Sequence, residues 1–266
     1  MDFLLDPLFL FVVLLVFATG FLFAPLGLGG GLLFVPILHY VAGFPLDSST
    51  LVISLLLTGC VSYGSGFVHH REGLVDISRI RMGAPSALIG SVIGAIVVSL
   101  LGSSLNIVFK ILAFGIITWA IIKASRRISS GRSELEVGEI RSVELIMGTG
   151  FGGMASSVLA IGAGAIYIPV LNQFGGLDSR ASIGTSLGLM MVAVPISVLT
   201  HALLFQGVWP PFLYFLGLPI AVICGSIIGA KTGLRLSEKT ILGGFIMVLS
   251  IVLIRYLIDL ISLVLH

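Results

Sequence analysis

A short phrase occurs twice in this chain, and its spacing constrains the fold more than any other feature. Residues 26–38 read LGLGGGLLFVPIL and residues 161–171 read IGAGAIYIPVL. Each is a glycine cluster, a few apolar residues, a proline and an apolar close. Pro36 and Pro169 stand half a chain apart in a sequence of 266 residues. The match continues downstream in order. GFPLDSSTLVISLL (43–56) pairs with GGLDSRASIGTSLG (175–188), and His70-Arg71-Glu72-Gly73 pairs with Phe205-Gln206-Gly207. Finally MGAPSALIGSVIGA (82–95) pairs with LGLPIAVICGSIIGA (216–230) after a one-residue gap. Ordered matches in Gly, Pro and Ser do not arise from apolar composition, so the chain reads as a duplication.

The solvent of this duplicated chain is lipid. Hydrophobic residues make up 57% and charged residues 10%, with a mean hydropathy of +1.19. Soluble domains carry about 25% charged residues. Ten apolar stretches, near 8–26, 28–43, 49–68, 82–101, 106–122, 143–160, 163–174, 181–205, 212–230 and 240–258, predict an all-α polytopic membrane protein. Most have the ~17–25 residues that cross the hydrocarbon core as helix. The second and seventh are shorter and follow directly on the glycine clusters. Period-two alternation is absent, which disfavours a membrane barrel. The N-terminus carries Asp2 and Asp6 where a secretory signal has basic residues, so it reads as the first membrane segment. Cys60 and Cys224 lie in apolar segments and are expected to be buried packing residues.

Charge then orients the segments. With the N-terminus outside and all ten crossing, the inside loops hold Arg71, Arg79, Arg81, Lys123, Arg126, Arg127, Arg132, Arg141, Arg180, Lys231, Arg235 and Lys239. These are twelve of the 14 basic residues, as the positive-inside rule requires. Both termini are then outside. Five segments per half is an odd number, so the halves face opposite ways as an inverted-topology repeat. The divisions expected are a first membrane repeat (1–122), a cytoplasmic linker (123–142) and a second repeat (143–266). Glu134 to Glu144 could open a short amphipathic helix in that linker.

A glycine break in a membrane helix is tolerated only beside protein or a water-filled cavity. Gly29, Gly30 and Gly31 allow conformations that other residues avoid and let a ligand approach the main chain. A helix starting after the break presents unpaired N–H groups and the positive end of its dipole, an anion site made without a charged side chain. Gly162, Ala163 and Gly164 supply the counterpart. Hydroxyls of Ser54, Thr185 and Ser186 can donate to anion oxygens, and His201 is a further polar candidate. The competing reading of each is structural: small residues pack helices closely, and membrane Ser and Thr bond their own backbone. For Gly90/Gly94 and Gly225/Gly229, two GxxxG pairs, packing is the favoured reading.

No Asp or Glu lies well inside a segment, with Asp259 and Glu144 at edges, so a carboxylate proton relay is not expected. Lys110 and Arg255 are placed to snorkel. The paired Gly-rich/Pro phrases, Gly184-Thr185-Ser186, the two similar halves and the length resemble the sulfite exporter TauE/SafE family of permeases. That resemblance implies an inner-membrane carrier for sulfur-containing anions such as sulfite, sulfoacetate or other organosulfonates. The first half departs from the second, with Val52-Ile53-Ser54 opposite Gly184-Thr185-Ser186. An inside-negative potential of ~100 mV favours outward movement of each negative charge by roughly 2.3 kcal/mol, so export by alternating access is expected. A channel using the breaks as a pore lining is the alternative. Tyr63-Gly64-Ser65-Gly66 only approximates a nucleophile motif and no HExxH occurs, so no enzyme is expected. Expected partners are a small anion and the bilayer, with a homodimer admitted. No nucleic acid, cofactor or metal is expected.

Overall fold

The computed structural model describes residues 6–130, 139–233 and 238–265. Its ten helices are α1 (Pro7–Phe23), α2 (Gly31–Pro36), α3 (Ser48–Arg71), α4 (Ile77–Leu101), α5 (Leu105–Ser130), α6 (Ser142–Leu159), α7 (Gly164–Gly175), α8 (Ser179–Leu204), α9 (Phe212–Gly233) and α10 (Glu238–Leu265). No strand occurs among the described residues. Seven helices, α1 with its following turn, α3, α4, α5, α8, α9 and α10, are long and apolar enough to cross a membrane. Beyond Pro36, α2 continues as a π-helical turn, Ile37–Val41. At 1.5 Å per residue α2 with this turn spans about 16 Å and α7 about 18 Å. Each covers little more than half of a ~30 Å hydrocarbon core.

Aspartates start four of the described helices by accepting otherwise orphaned N–H groups. Asp6 caps α1 through Leu8 N at 3.0 Å, and Asp76 caps α4 through Arg79 N at 3.0 Å. Asp47 and Asp178, the aspartates of the two Leu-Asp-Ser triplets, cap α3 and α8 in the same way. The two triplets matched in the sequence thus begin their helices alike.

Packing exchanges the halves. α1 lies along α9 as α6 lies along α4, α3 touches α9 as α8 touches α4, and α3/α8 and α5/α10 pair with each other. Glycines make the first two seams. A Cβ on Gly225 or Gly229 would overlap the carbonyls of Phe17 and Phe21, and one on Gly90 or Gly153 would overlap those of Gly150 and Ala87. With no hydrophobic drive between helices in lipid, such close backbone approach supplies the van der Waals contact that holds them. The successive contacts Phe9–Gly217, Phe17–Gly225 and Phe21–Gly229 make α1 and α9 parallel. The central α3 and α8 run antiparallel, with Gly59 facing Val194, Tyr63 Oη donating to the Met191 carbonyl at 2.9 Å and Gly66 facing Leu187.

One end of the bundle is tied by backbone groups. Arg141 N donates to Phe174 O at 2.9 Å, Arg79 Nε to Gly175 O at 2.7 Å and Asp76 N to Thr185 Oγ1 at 2.9 Å. The opposite end carries a charge cluster that corrects the expectation of snorkelling. Lys110 is buried and its Nζ lies 2.6 Å from Asp259 Oδ2. Tyr40 Oη also donates to Asp259, at 2.9 Å, and Arg255 stands 3.6 Å from it. The reason is that α10 runs on to Leu265, so Asp259 sits inside the helix and gives Lys110 a counter-ion. α5 likewise continues to Ser130, making the start of the 123–142 linker helical. Residues 139–141 are not helical and α6 begins at Ser142. Arg132, Glu134 and Arg235 lie outside the described residues. Cys60 is partly buried, but Cys224 is exposed on the outer surface of the bundle rather than buried.

Candidate substrate site at the crossed helix breaks

Both breaks are built from left-handed backbone. α1 gives way to a 3-10 turn, Ala24–Leu26, and then Gly27, Gly29 and Gly30 adopt φ of 65°, 77° and 78° before α2 begins at Gly31. The second break opens at Ala160, φ 50°, followed by Gly162, φ 69°, before α7 begins at Gly164. Ala160 is the single non-glycine residue with positive φ among the described residues. It occupies the place that Gly27 holds in the first half.

The breaks touch each other. A Cβ on Gly31 would overlap the Ala160 carbonyl and the Ile161 backbone. A Cβ on Gly164 would overlap the Gly27 carbonyl and stand 2.7 Å from Leu28 Cα. Each half also holds the other's break. Ser54 Oγ on α3 donates to Ala160 O at 2.9 Å, and Ser186 Oγ on α8 shares its one proton between Ile183 O at 2.8 Å and Gly27 O at 3.2 Å. Ser54 and Ser186 are equivalent positions, as are Ala160 and Gly27, so the two bonds form a reciprocal clasp. It satisfies two carbonyls that the broken helices cannot satisfy themselves.

All ten candidate residues are buried. The structure brings together Gly29, Gly30, Gly31, Ser54, Gly162, Ala163, Gly164 and Ser186. Thr185 points elsewhere: its hydroxyl accepts from Asp76 N and fastens the α3–α4 loop to α8. His201 is also apart, about 22 Å further along α8 than Ser186 at 1.5 Å per residue. Its Nε2 is 3.0 Å from Ser157 O and 3.2 Å from Ser157 Oγ. Its counterpart, His69, is buried near the end of α3, with Nδ1 2.9 Å from Ser65 O.

Two residues at the junction escape a reading of sequence. The space beside Gly29 and Gly162 is bounded by the same pair, Thr58 on α3 and Met190 on α8. They occupy matching places in the two halves, yet Thr and Met share no chemistry, so no repeated residue type marks them. The side chains nearest these two glycines, Thr58 and Met190, are uncharged. What the backbone offers is the start of α7, whose first N–H groups have no acceptor within the helix and sit at the positive end of its dipole. That arrangement favours an anion without burying a cation.

Half-length helices that meet break to break within a bundle of membrane-spanning helices define a multi-pass membrane protein of transporter type. The chain belongs to the sulfite exporter TauE/SafE family, whose model matches residues 12–256. It is 27% identical over 186 residues to a probable membrane transporter protein of Haemophilus influenzae, covering 67% of this chain and 68% of that one. No solved structure matches the chain.

Proposed function

We propose that this transporter moves a small sulfur-containing anion, sulfite or an organosulfonate, outward across the inner membrane by alternating access. The observation that carries the reading is the contact between the two breaks, each capped by a serine of the other half. Antiparallel α3 and α8, equivalent helices of the two halves, support an inverted-topology repeat. The basic ends of α3, α5 and α9 and the basic starts of α4 and α8 support an N-terminus outside. Burial of every candidate residue favours a carrier that closes around its substrate over a standing pore. The inside-negative potential favours export of the anion.

The test is flux in proteoliposomes loaded with labelled sulfite, sulfoacetate or methanesulfonate. Saturable efflux with counterflow is expected, together with a thermal shift of the purified protein by the same anions. Flux that rises linearly with concentration and shows no counterflow would establish a channel. Absence of both binding and flux across this panel would remove the substrate class.

A further inference from the structure

Thr58 is a buried hydroxyl that the protein itself leaves unused. Its Oγ1 has no hydrogen-bond partner, and the residue is 0% exposed. The Thr185 hydroxyl accepts from Asp76 N, and five other helical threonines also differ from Thr58: Thr19, Thr118, Thr149, Thr200 and Thr232 each donate to the carbonyl four residues back. That bond is the default for a hydroxyl in a membrane helix. Thr58 could make it to the Ser54 carbonyl and does not. An unpaired polar group in a low-dielectric interior is costly; Ser91, Asn106, Ser156, Tyr167, Ser179 and Ser197 carry one too, and what sets Thr58 apart is its position.

The Thr58 methyl, Cγ2, lies 2.9 Å from where a Cβ on Gly29 would stand and 2.7 Å from where one on Gly162 would stand. The side chain therefore sits against both breaks, close to the start of α7. Across the glycines Met190 Sδ lies 3.2 Å from each of the same two points. The two glycines thus lie between a threonine, whose methyl faces them and whose unpaired hydroxyl is carried on the same carbon, and a thioether, which donates nothing.

We propose that Thr58 is a substrate ligand, its hydroxyl donating to an oxygen of a small oxyanion seated at the breaks. Met190 forms the apolar wall opposite. This rests on the carrier reading above and names the side chain that meets the anion. The two copies of the site are then unequal by construction, since only the first half supplies the hydroxyl.

The experiment compares wild type, Thr58→Val and Thr58→Ser in sulfite flux and in sulfite-induced thermal shift. Thr58→Val keeps the shape and removes the hydroxyl. Without sulfite it is expected to melt no lower than wild type, because it removes an unpaired buried group. With sulfite it is expected to lose the thermal shift and to raise KM about 10- to 100-fold, the range for a hydrogen bond to a charged group. Thr58→Ser should return to within about threefold of wild type in KM. A Thr58→Val protein that binds and moves sulfite like wild type overturns the assignment and leaves the carrier reading standing. A Thr58→Val protein that fails to fold overturns it too, since the hydroxyl would then have a structural partner. If wild type itself neither binds nor moves sulfite, the carrier reading for this anion falls and the assignment falls with it.

Discussion

Gly31→Ala and Gly164→Ala are the smallest changes that ask whether the two breaks must touch. Neither glycine has positive φ, so alanine introduces no backbone strain and the effect is purely one of space. On Gly164 the new methyl would stand 2.7 Å from Leu28 Cα and overlap the Gly27 carbonyl. Carbon pairs settle near 3.5–4.0 Å, so the first break must retreat by about 1 Å. It is not free to do so, because Ser186 holds Gly27 O. Overpacking a well-filled interior costs about 1–3 kcal/mol, and backbone on both sides puts this case near the upper end. At about 2–4 °C per kcal/mol, Tm should fall by about 6–12 °C for each variant, read by thermal unfolding in detergent. Flux should fall further than stability does, by on the order of 100-fold, as a 1 Å displacement of a binding group produces. Gly115→Ala on α5 is the control. A Cβ there meets nothing within 4 Å, and alanine in a helix gains up to about 1 kcal/mol over glycine. If the two junction variants proved as harmless as Gly115→Ala, the breaks would not be held in contact and the site would lie elsewhere.

Ser54→Ala and Ser186→Ala each strip a cap from a buried carbonyl, at about 1–3 kcal/mol. Ser54→Ala should cost more, because its bond is 2.9 Å against 3.2 Å and Ser186 also bonds Ile183 O; equal, negligible losses in thermal unfolding would refute the clasp. Asp259→Asn leaves the Lys110 charge, with 7% side-chain exposure, without its counter-ion, which should cost about 3–5 kcal/mol. Adding Lys110→Met should restore most of that loss, and a double variant as unstable as the single would show that the pair is not the cause. Ala160→Gly relieves an alanine at φ 50°, worth about 1–2 kcal/mol less the roughly 0.4–1 kcal/mol of extra unfolded-state freedom. A small rise in Tm is expected.

The helices and breaks were legible because their signals are local. Apolar runs placed every helix to within a few residues, except where charge ended the run too early. The sequence places Asp259 at an edge because a charge ordinarily closes a membrane segment, yet a charge with a partner does not. That partner, Lys110, lies on another helix, and no sequence pattern pairs the two. The same limit applies at the site. The equivalence of Ser54 and Ser186 can be read by alignment, but alignment cannot say that each reaches into the other half. Thr58 and Met190 are harder still, since what they share is a place relative to the glycines and not a residue type. His201 is a candidate by its chemistry alone, and the length of α8 carries it away from the junction.

The reciprocal clasp bears on how the halves depend on one another. Gly27 O in the first half is satisfied from the second, and Ala160 O in the second from the first. An unpaired carbonyl in hydrocarbon costs several kcal/mol, so neither half can complete its own break. Under the proposed alternating access, the halves must move past each other without leaving those carbonyls bare. Thr58 and Met190 fall near the middles of α3 and α8, and the clasp lies within about a helical turn of each. Rotation about that point displaces the far ends of the α1–α9 and α4–α6 pairs most and the clasp least. On that proposal the element that satisfies the backbone is also the pivot, and the proposed substrate contacts fall on the same few residues.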